Sequence, residues 1–151
     1  MSDELNNIGG GLFFIPGATP SSKNGKRLVG RRLIASKATM EWRKNTEELW
    51  KLHKHEFAKE LIGLDKPYLI GTHFVRKSRH KFDFVNPTQA TQDEMVTHEW
   101  IDDDNCDEMI PFPLNIDENW YSYNKENPGA YIKIIKDPKE IELLTKILRI
   151  R

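Results

Sequence analysis

Short apolar runs, bounded by glycine, proline and polar residues, mark the strands that the sequence predicts. Runs of this kind with many β-branched and aromatic residues are typical of strands. There are four of them, at residues 12–15, 68–74, 109–114 and 130–135. The segment 17–32 after the first run is rich in glycine, serine, proline and basic residues and predicts a loop, of which residues 27–34 could return as a strand.

A long helix is predicted at residues 36–61. Its apolar positions recur at spacings of three, four and seven, which places them on one side of a helix. They are Trp42, Leu49, Trp50, His53, Phe57 and Leu61. Gly63 is a typical stop signal. On this stripe His53 is a core or half-buried histidine rather than a ligand.

Two further helices are predicted after the second strand. The first begins at Pro87 and runs to about residue 99, and Thr91 with Glu94 has the spacing of a capping box, which would start its regular part late. The second begins at Asp137-Pro138, a typical helix start, and forms an amphipathic helix over residues 138–150.

The order of these elements predicts a mixed α/β (α+β) domain, with helices packed on a small mixed sheet. A chain of 151 residues suffices for one core. We therefore expect a flexible tail at residues 1–11, followed by a single domain at 12–151 that includes the C-terminal amphipathic helix.

Composition narrows the class of protein. The chain has 38% hydrophobic residues and no apolar run of the roughly 20 residues that cross a bilayer, so we expect no membrane partner. Cys106 is the one cysteine, which excludes an internal disulfide and favours a cytoplasmic location. No phosphate-binding or dinucleotide-binding glycine motif is present, so no nucleotide cofactor is expected.

The net charge of zero conceals an uneven distribution. Residues 1–81 contain 16 Lys and Arg against 8 Asp and Glu, whereas residues 82–129 contain 1 against 12. A basic segment beside an acidic one suits a metal-dependent nuclease, because the bases neutralise phosphates and the acids hold the cation. Charge alone fits an ordinary uneven surface equally well.

The segment 79–104 contains the carboxylates that could hold a metal ion. Asp83 is predicted at or just beyond the end of a strand, and Asp93 on the following helix. Asp102 and Asp103 lie in the loop after that helix, and we expect the unit to fold its two ends together. Such oxygen ligands suit Mg²⁺, or Mn²⁺, which can activate water against a phosphodiester. A solvated acidic turn without a metal is the alternative.

Lysine and arginine residues form two clusters that could contact a phosphate backbone. The first, in the loop after the first strand, consists of Lys23, Lys26, Arg27, Arg31 and Arg32. The second, which we call the second basic cluster, consists of Arg76, Lys77, Arg79 and Lys81. DNA contact is favoured for the second because it flanks the acidic residues, whereas DNA contact and plain solubility are equally open for the first.

Three motifs occur in a characteristic order. They are a Pro-Ser-Ser-Lys-Asn loop at 20–24, then Asp83 and Asn86 with the later acids Asp93 and Asp102-Asp103, and finally an Asn-Pro-Gly turn at 127–129. Over about residues 12–135, their order and spacing resemble those of the RusA-like family of Holliday-junction endonucleases. In that family an Asp-x-Asp-Asn motif follows a strand, and an Asp-Asp pair closes the unit.

The resemblance implies a function and a set of roles. The function is that of a Mg²⁺-dependent endodeoxyribonuclease, of phage or prophage type, which resolves Holliday junctions and related branched DNA in recombination and repair. It implies a homodimer matched to a four-way junction, with one aspartate site per subunit. The implied roles are metal ligation by Asp83 and Asp103, supporting acids at Asp93 and Asp102, orientation by Asn86, and phosphate contact by Lys81.

Two positions depart from the family pattern and keep other functions open. Val85 stands where the family often has its second Asp, and Gln89 where it often has a Lys. Loss of a metal-binding carboxylate and of a charge near the scissile phosphate would favour a branched-DNA-binding protein with little or no nuclease activity. A protein-interaction role for the acidic loop, without DNA, is the third hypothesis.

Overall fold

The computed structural model describes residues 11–21, 26–29 and 32–136. It contains a five-stranded mixed sheet, a separate two-stranded sheet and two helices. The strands are β1 (Leu12–Pro16), β2 (Lys26–Val29), β3 (Arg32–Ala35), β4 (Tyr68–Arg76), β5 (Met109–Pro113), β6 (Ser122–Tyr123) and β7 (Gly129–Ile134). The helices are α1 (Lys37–Glu60) and α2 (Val85–Thr97). The predicted mixed α+β fold is confirmed.

β4 is the central strand of the sheet. It pairs antiparallel with β7, which in turn pairs antiparallel with β1. Along its other edge β4 pairs parallel with β5 near its start and with β6 at its end. The chain from β4 through α2 to β5 is therefore a parallel crossover, so the loop before α2 lies at the carboxyl end of β4 and the loop after α2 at the amino end.

α1 forms as the sequence predicts. The Ser36 hydroxyl caps it by accepting a hydrogen bond of 3.2 Å from the backbone N–H of Thr39. The buried side of the helix is Thr39, Trp42, Thr46, Trp50, His53 and Phe57, and Gly63 follows with a φ of +81°. The predicted stripe is confirmed, and the burial of His53, with 6% of its surface exposed, confirms its place in the core.

The core joins α1 and α2 to one face of the sheet through a cluster of aromatic rings. Trp100, in the loop after α2, packs against Phe13 of β1 and against Trp50 and Phe57 of α1, with ring centroids 4.5–5.7 Å apart. Its indole N–H donates a hydrogen bond of 2.7 Å to the carbonyl oxygen of Trp50. This cluster fixes the C-terminal end of α2 against α1 and the sheet.

α2 differs from the prediction at its start. It begins at Val85, two residues before Pro87, and the predicted capping box is wrong. The Thr91 hydroxyl instead donates to the carbonyl oxygen of Pro87 inside the helix, at 3.0 Å. Glu94 is 3% exposed and pairs with Arg43 and His98. These partners are expected because a carboxylate buried in the core is costly unless it is paired.

Three short strands, β2, β3 and β6, lie in segments that were predicted wholly or partly as loops. Within the predicted loop at 17–32, residues 27–34 were expected as a possible single strand, and instead β2 and β3 form an antiparallel hairpin over residues 26–35. The polar segment 119–129 contains β6, whose two residues pair with the end of β4. Two-residue strands carry too little hydrophobic pattern to be found from sequence.

The predicted tail and the predicted C-terminal helix at 138–150 lie outside the described residues, apart from residue 11. Neither of the two helices in the described part of the chain has the length and apolar character needed to cross a bilayer.

Candidate functional site

An open pocket of about 540 Å³ lies at the carboxyl end of β4. It is lined by Ser21, Arg76, Lys81, Phe82, Asp83, Asn86, Pro87 and Tyr121. Four of these residues, Arg76, Lys81, Asp83 and Asn86, are site residues that the sequence predicted. The fold therefore brings one carboxylate, one amide and two cations of the predicted site to one cavity.

Asp83 and Asn86 hold their places because of the start of α2. Asp83 lies just ahead of the helix, and its carbonyl oxygen accepts a hydrogen bond of 3.1 Å from the backbone N–H of Asn86. In the part of the chain that the structure describes, no side chain caps this end of the helix at Phe84. The uncapped N-terminus adds a partial positive charge to the pocket, which favours an anion there.

The Arg76 guanidinium forms the inner wall of the pocket. It lies over the ring of Phe82, with the guanidinium carbon 4.4 Å from the ring centroid. Burial lowers the pKa of this guanidinium, although an arginine remains a cation at neutral pH. Such a cation, held flat by stacking, is suited to a phosphate oxygen.

Two buried polar atoms beside the pocket have no hydrogen-bond partner among the described residues. They are the Ser21 hydroxyl oxygen and the Arg76 Nε. Buried polar groups are normally paired, and unpaired ones mark places where a water or a ligand completes the bonding. Both atoms belong to residues that line the pocket, so they offer donors to an incoming anion.

The two other cations of the second basic cluster lie at or just after the end of β4. Lys77 follows Arg76 at the end of β4, and the Arg79 guanidinium lies 4.4 Å over the ring centroid of Tyr123. Of the second basic cluster, Arg76 and Lys81 therefore line the pocket, while Lys77 lines a neighbouring cavity and Arg79 stacks on Tyr123.

The first cluster is described only in part. Lys26 and Arg27 lie on β2 and Arg32 on β3, while Lys23 and Arg31 lie outside the described residues. Their predicted contact with DNA stays a prediction.

Asp102 and Asp103 lie at the opposite end of β4 from Asp83. The Lys66 ammonium, just before β4, pairs with the Glu108 carboxylate at 2.6 Å and with the Asp102 carboxylate at 2.9 Å. These hydrogen bonds, that of Glu108 first, raise the pKa of the ammonium. α2, of 13 residues and about 20 Å, separates the two ends. The expectation that these carboxylates meet within one chain is wrong. In a parallel crossover, α2 carries the chain from the carboxyl end of β4 back to its amino end, where Asp102 and Asp103 lie.

The remaining acids have local roles. The Asp103 carboxylate accepts hydrogen bonds from the Asp104 backbone N–H at 2.7 Å and from the Asn105 amide at 3.1 Å, and these bonds lower its pKa. Asp93 is half-buried on α2, beside Glu94, whose pKa is raised by burial. Asp103 therefore forms hydrogen bonds within its own turn.

Among the described residues, no group of three or more His, Cys, Asp or Glu is placed to hold a metal ion. The pocket offers the Asp83 carboxylate and the Asn86 amide oxygen. Mg²⁺ is commonly held by one or two carboxylates together with water and substrate phosphates, so these two side chains fit it as a minimal set of ligands.

Four of the pocket residues were not predicted as site residues: Ser21, Phe82, Pro87 and Tyr121. Phe82 and Pro87 neighbour Asp83 and Asn86 in sequence, and Ser21 lies in the motif at 20–24, but none of the three had been given a role in the site. Phe82 and Tyr121 contact each other edge to face at 5.1 Å, and no local spacing could join these two residues. The dense aromatic segment at 120–123 was the available signal.

Comparison with known proteins finds no family model that matches the chain and no curated protein of matching sequence.

Proposed function

We propose that this protein is a metal-dependent endonuclease that acts on branched DNA, as its motifs imply. The observation that carries the proposal is the pocket at the carboxyl end of β4. There Asp83 and Asn86 share one cavity with the cations Arg76 and Lys81 at an uncapped helix N-terminus. Anion-binding groups beside a metal-binding carboxylate are what hydrolysis of a phosphodiester needs.

In this proposal, separate residues of the pocket bind the phosphate and the metal ion. Arg76, Lys81 and the N-terminus of α2 bind and orient the phosphate, and the Ser21 hydroxyl, which has no partner among the described residues, donates a hydrogen bond to it. Asp83 and Asn86 hold Mg²⁺ or Mn²⁺. The ion, when bound, supplies positive charge that activates water and stabilises the charge that develops on the phosphate.

The partners and location belong to the same proposal. They are a four-way junction or related branched DNA, a homodimer and a cytoplasmic setting. Because Asp102 and Asp103 lie at the far end of β4, a metal site that combines them with Asp83 requires two copies of the chain. The arrangement within one chain needs only Asp83 and Asn86.

A branched-DNA-binding protein without cleavage is the second candidate function. The observation that favours it is the single carboxylate in the pocket. Val85 is 70% exposed at the start of α2, where the family often has a second Asp. In that case Val85→Asp would add the missing ligand, and nicking would appear in the variant alone.

Parallel measurements of binding and nicking separate the candidates. Binding of wild type to a synthetic four-way junction is measured without divalent metal, and nicking with Mg²⁺ or Mn²⁺. Paired symmetric nicks support the endonuclease, and tight binding without nicks supports the binding protein. Failure to bind the junction at low salt contradicts both and leaves the interaction role of the acidic loop.

A further inference from the structure

Three large aromatic side chains are exposed within four residues beside the pocket. Trp120 is 59% exposed, Tyr121 57% and Tyr123 39%. We call these three residues the aromatic strip. Exposed apolar residues are ordinary when scattered singly, whereas a group of them marks a surface that binds something.

The chain holds the aromatic strip in place on both sides of Ser122. The Ser122 hydroxyl lies 2.8 Å from Nε2 of the buried His73, and the Asn124 backbone N–H donates to the Arg76 carbonyl oxygen at 2.8 Å. The Tyr121 ring meets the edge of Phe82 at 5.1 Å. The strip is thus fixed to the end of β4, which reduces the entropy lost when a ligand binds.

Cations accompany the aromatic strip. The Arg79 guanidinium lies 4.4 Å over the Tyr123 ring, and the Arg76 guanidinium lies over Phe82, the ring that Tyr121 contacts. Flat aromatic faces next to cations are the combination that binds single-stranded nucleic acid, because bases stack on the rings and phosphates pair with the cations.

We propose that the aromatic strip stacks unpaired bases of a DNA strand whose phosphates lie in the neighbouring pocket. The inference rests on the proposed function for its DNA partner, though not for cleavage. A fully paired duplex keeps its base faces covered, so the strip selects strands that are open near a branch point. The adjacent cations favour this polyanion over an apolar peptide.

The four tryptophans give a direct probe. Trp42, Trp50 and Trp100 are at most 6% exposed, so Trp120 alone among them is open to solvent. The probes are a single-stranded oligothymidylate of about 12 nucleotides and a blunt, fully paired duplex of about 12 base pairs. Both are added without divalent metal, and tryptophan emission, its quenching by acrylamide and DNA affinity are measured.

The variants are Trp120→Ala and Tyr121→Ala, with Leu52→Ala as the control. Leu52 is 67% exposed on α1, away from the strip. We expect each strip variant to weaken binding of the single strand about 5- to 150-fold, and Trp120→Ala, which lies outside the pocket lining, to leave duplex affinity and thermal stability unchanged. Bound single strand should also quench the wild-type emission and protect Trp120 from acrylamide, and Leu52→Ala should behave as wild type.

Several outcomes overturn the inference. Equal weakening of single-strand and duplex binding in Trp120→Ala would show that the strip does not read unpaired bases, and unchanged emission would show that bases do not reach Trp120. Loss of self-association in Trp120→Ala, with DNA binding intact, would assign the strip to a protein interface. Selective single-strand binding, together with no nicking of a four-way junction in Mg²⁺ or Mn²⁺, would retain the stacking inference and refute cleavage. Absence of binding to either probe would refute the stacking inference, and junction binding would then test the proposed function separately.

Discussion

The second basic cluster predicts how DNA binding depends on salt. If each of its four cations, Arg76, Lys77, Arg79 and Lys81, neutralises one phosphate, log K should fall with log salt at a slope of about −3.6. Affinity would then drop about 150-fold between about 50 mM and about 200 mM salt. Arg79→Gln with Lys81→Gln leaves two contacts, a slope of about −1.8 and a drop of only about 12-fold.

Fluorescence anisotropy of a labelled four-way junction, titrated without divalent metal at several salt concentrations, measures these slopes. The control is Lys44→Gln with Lys59→Gln, which removes the same charge from the exposed side of α1. Its slope should equal that of wild type. Equal slopes for wild type and the Arg79→Gln/Lys81→Gln variant would refute the placement of the phosphate backbone at this pocket.

Three further predictions test the fold and the site. Gly129→Ala should cost about 1–3 kcal/mol in urea unfolding, because its Cβ would overlap the Phe14 ring and lie 2.7 Å from the Ile15 carbonyl oxygen; a variant as stable as wild type would contradict the register of β1 and β7. Burial lowers the pKa of His53, so the unfolded chain binds that proton more readily and stability is lost as pH falls below about 6.5. His53→Phe removes this loss. The Tm of the variant minus the Tm of wild type should therefore increase as the pH is lowered from about 7.5 to about 5; a difference that stays constant over this range would contradict the buried neutral ring. Asp103→Asn should retain nicking, since this carboxylate bonds within its own turn; loss of nicking would place it in the site of a second copy.

The parts of the fold that sequence predicted are those in which one local pattern decides the structure. The stripe from Trp42 to Phe57 has helical spacing over four turns, and the N-cap Ser36 and the stop at Gly63 are both local signals. β4 was found by its run of β-forming residues, and it extends two residues past the predicted end. In each case the burial pattern agrees with propensity.

The candidate site was predicted only where it is local. Lys81, Asp83 and Asn86 lie within six residues of one another and share the pocket with Arg76. The distance to Asp103 depended on whether the strand after α2 pairs parallel or antiparallel with β4, which no residue between them specifies. The contact between Tyr121 and Phe82 depends on the pairing of β6 with β4. β6 is two residues long, so no local pattern specifies this pairing either.

Nicking of a synthetic four-way junction by Asp83→Asn, in Mg²⁺ or Mn²⁺, tests the central claim most directly. The matched control is Asp65→Asn, which removes an exposed carboxylate in the loop before β4. We predict paired nicks from wild type and Asp65→Asn, and none from Asp83→Asn, whose junction affinity should remain. Wild-type nicking by Asp83→Asn would contradict the assignment of this pocket as the catalytic centre.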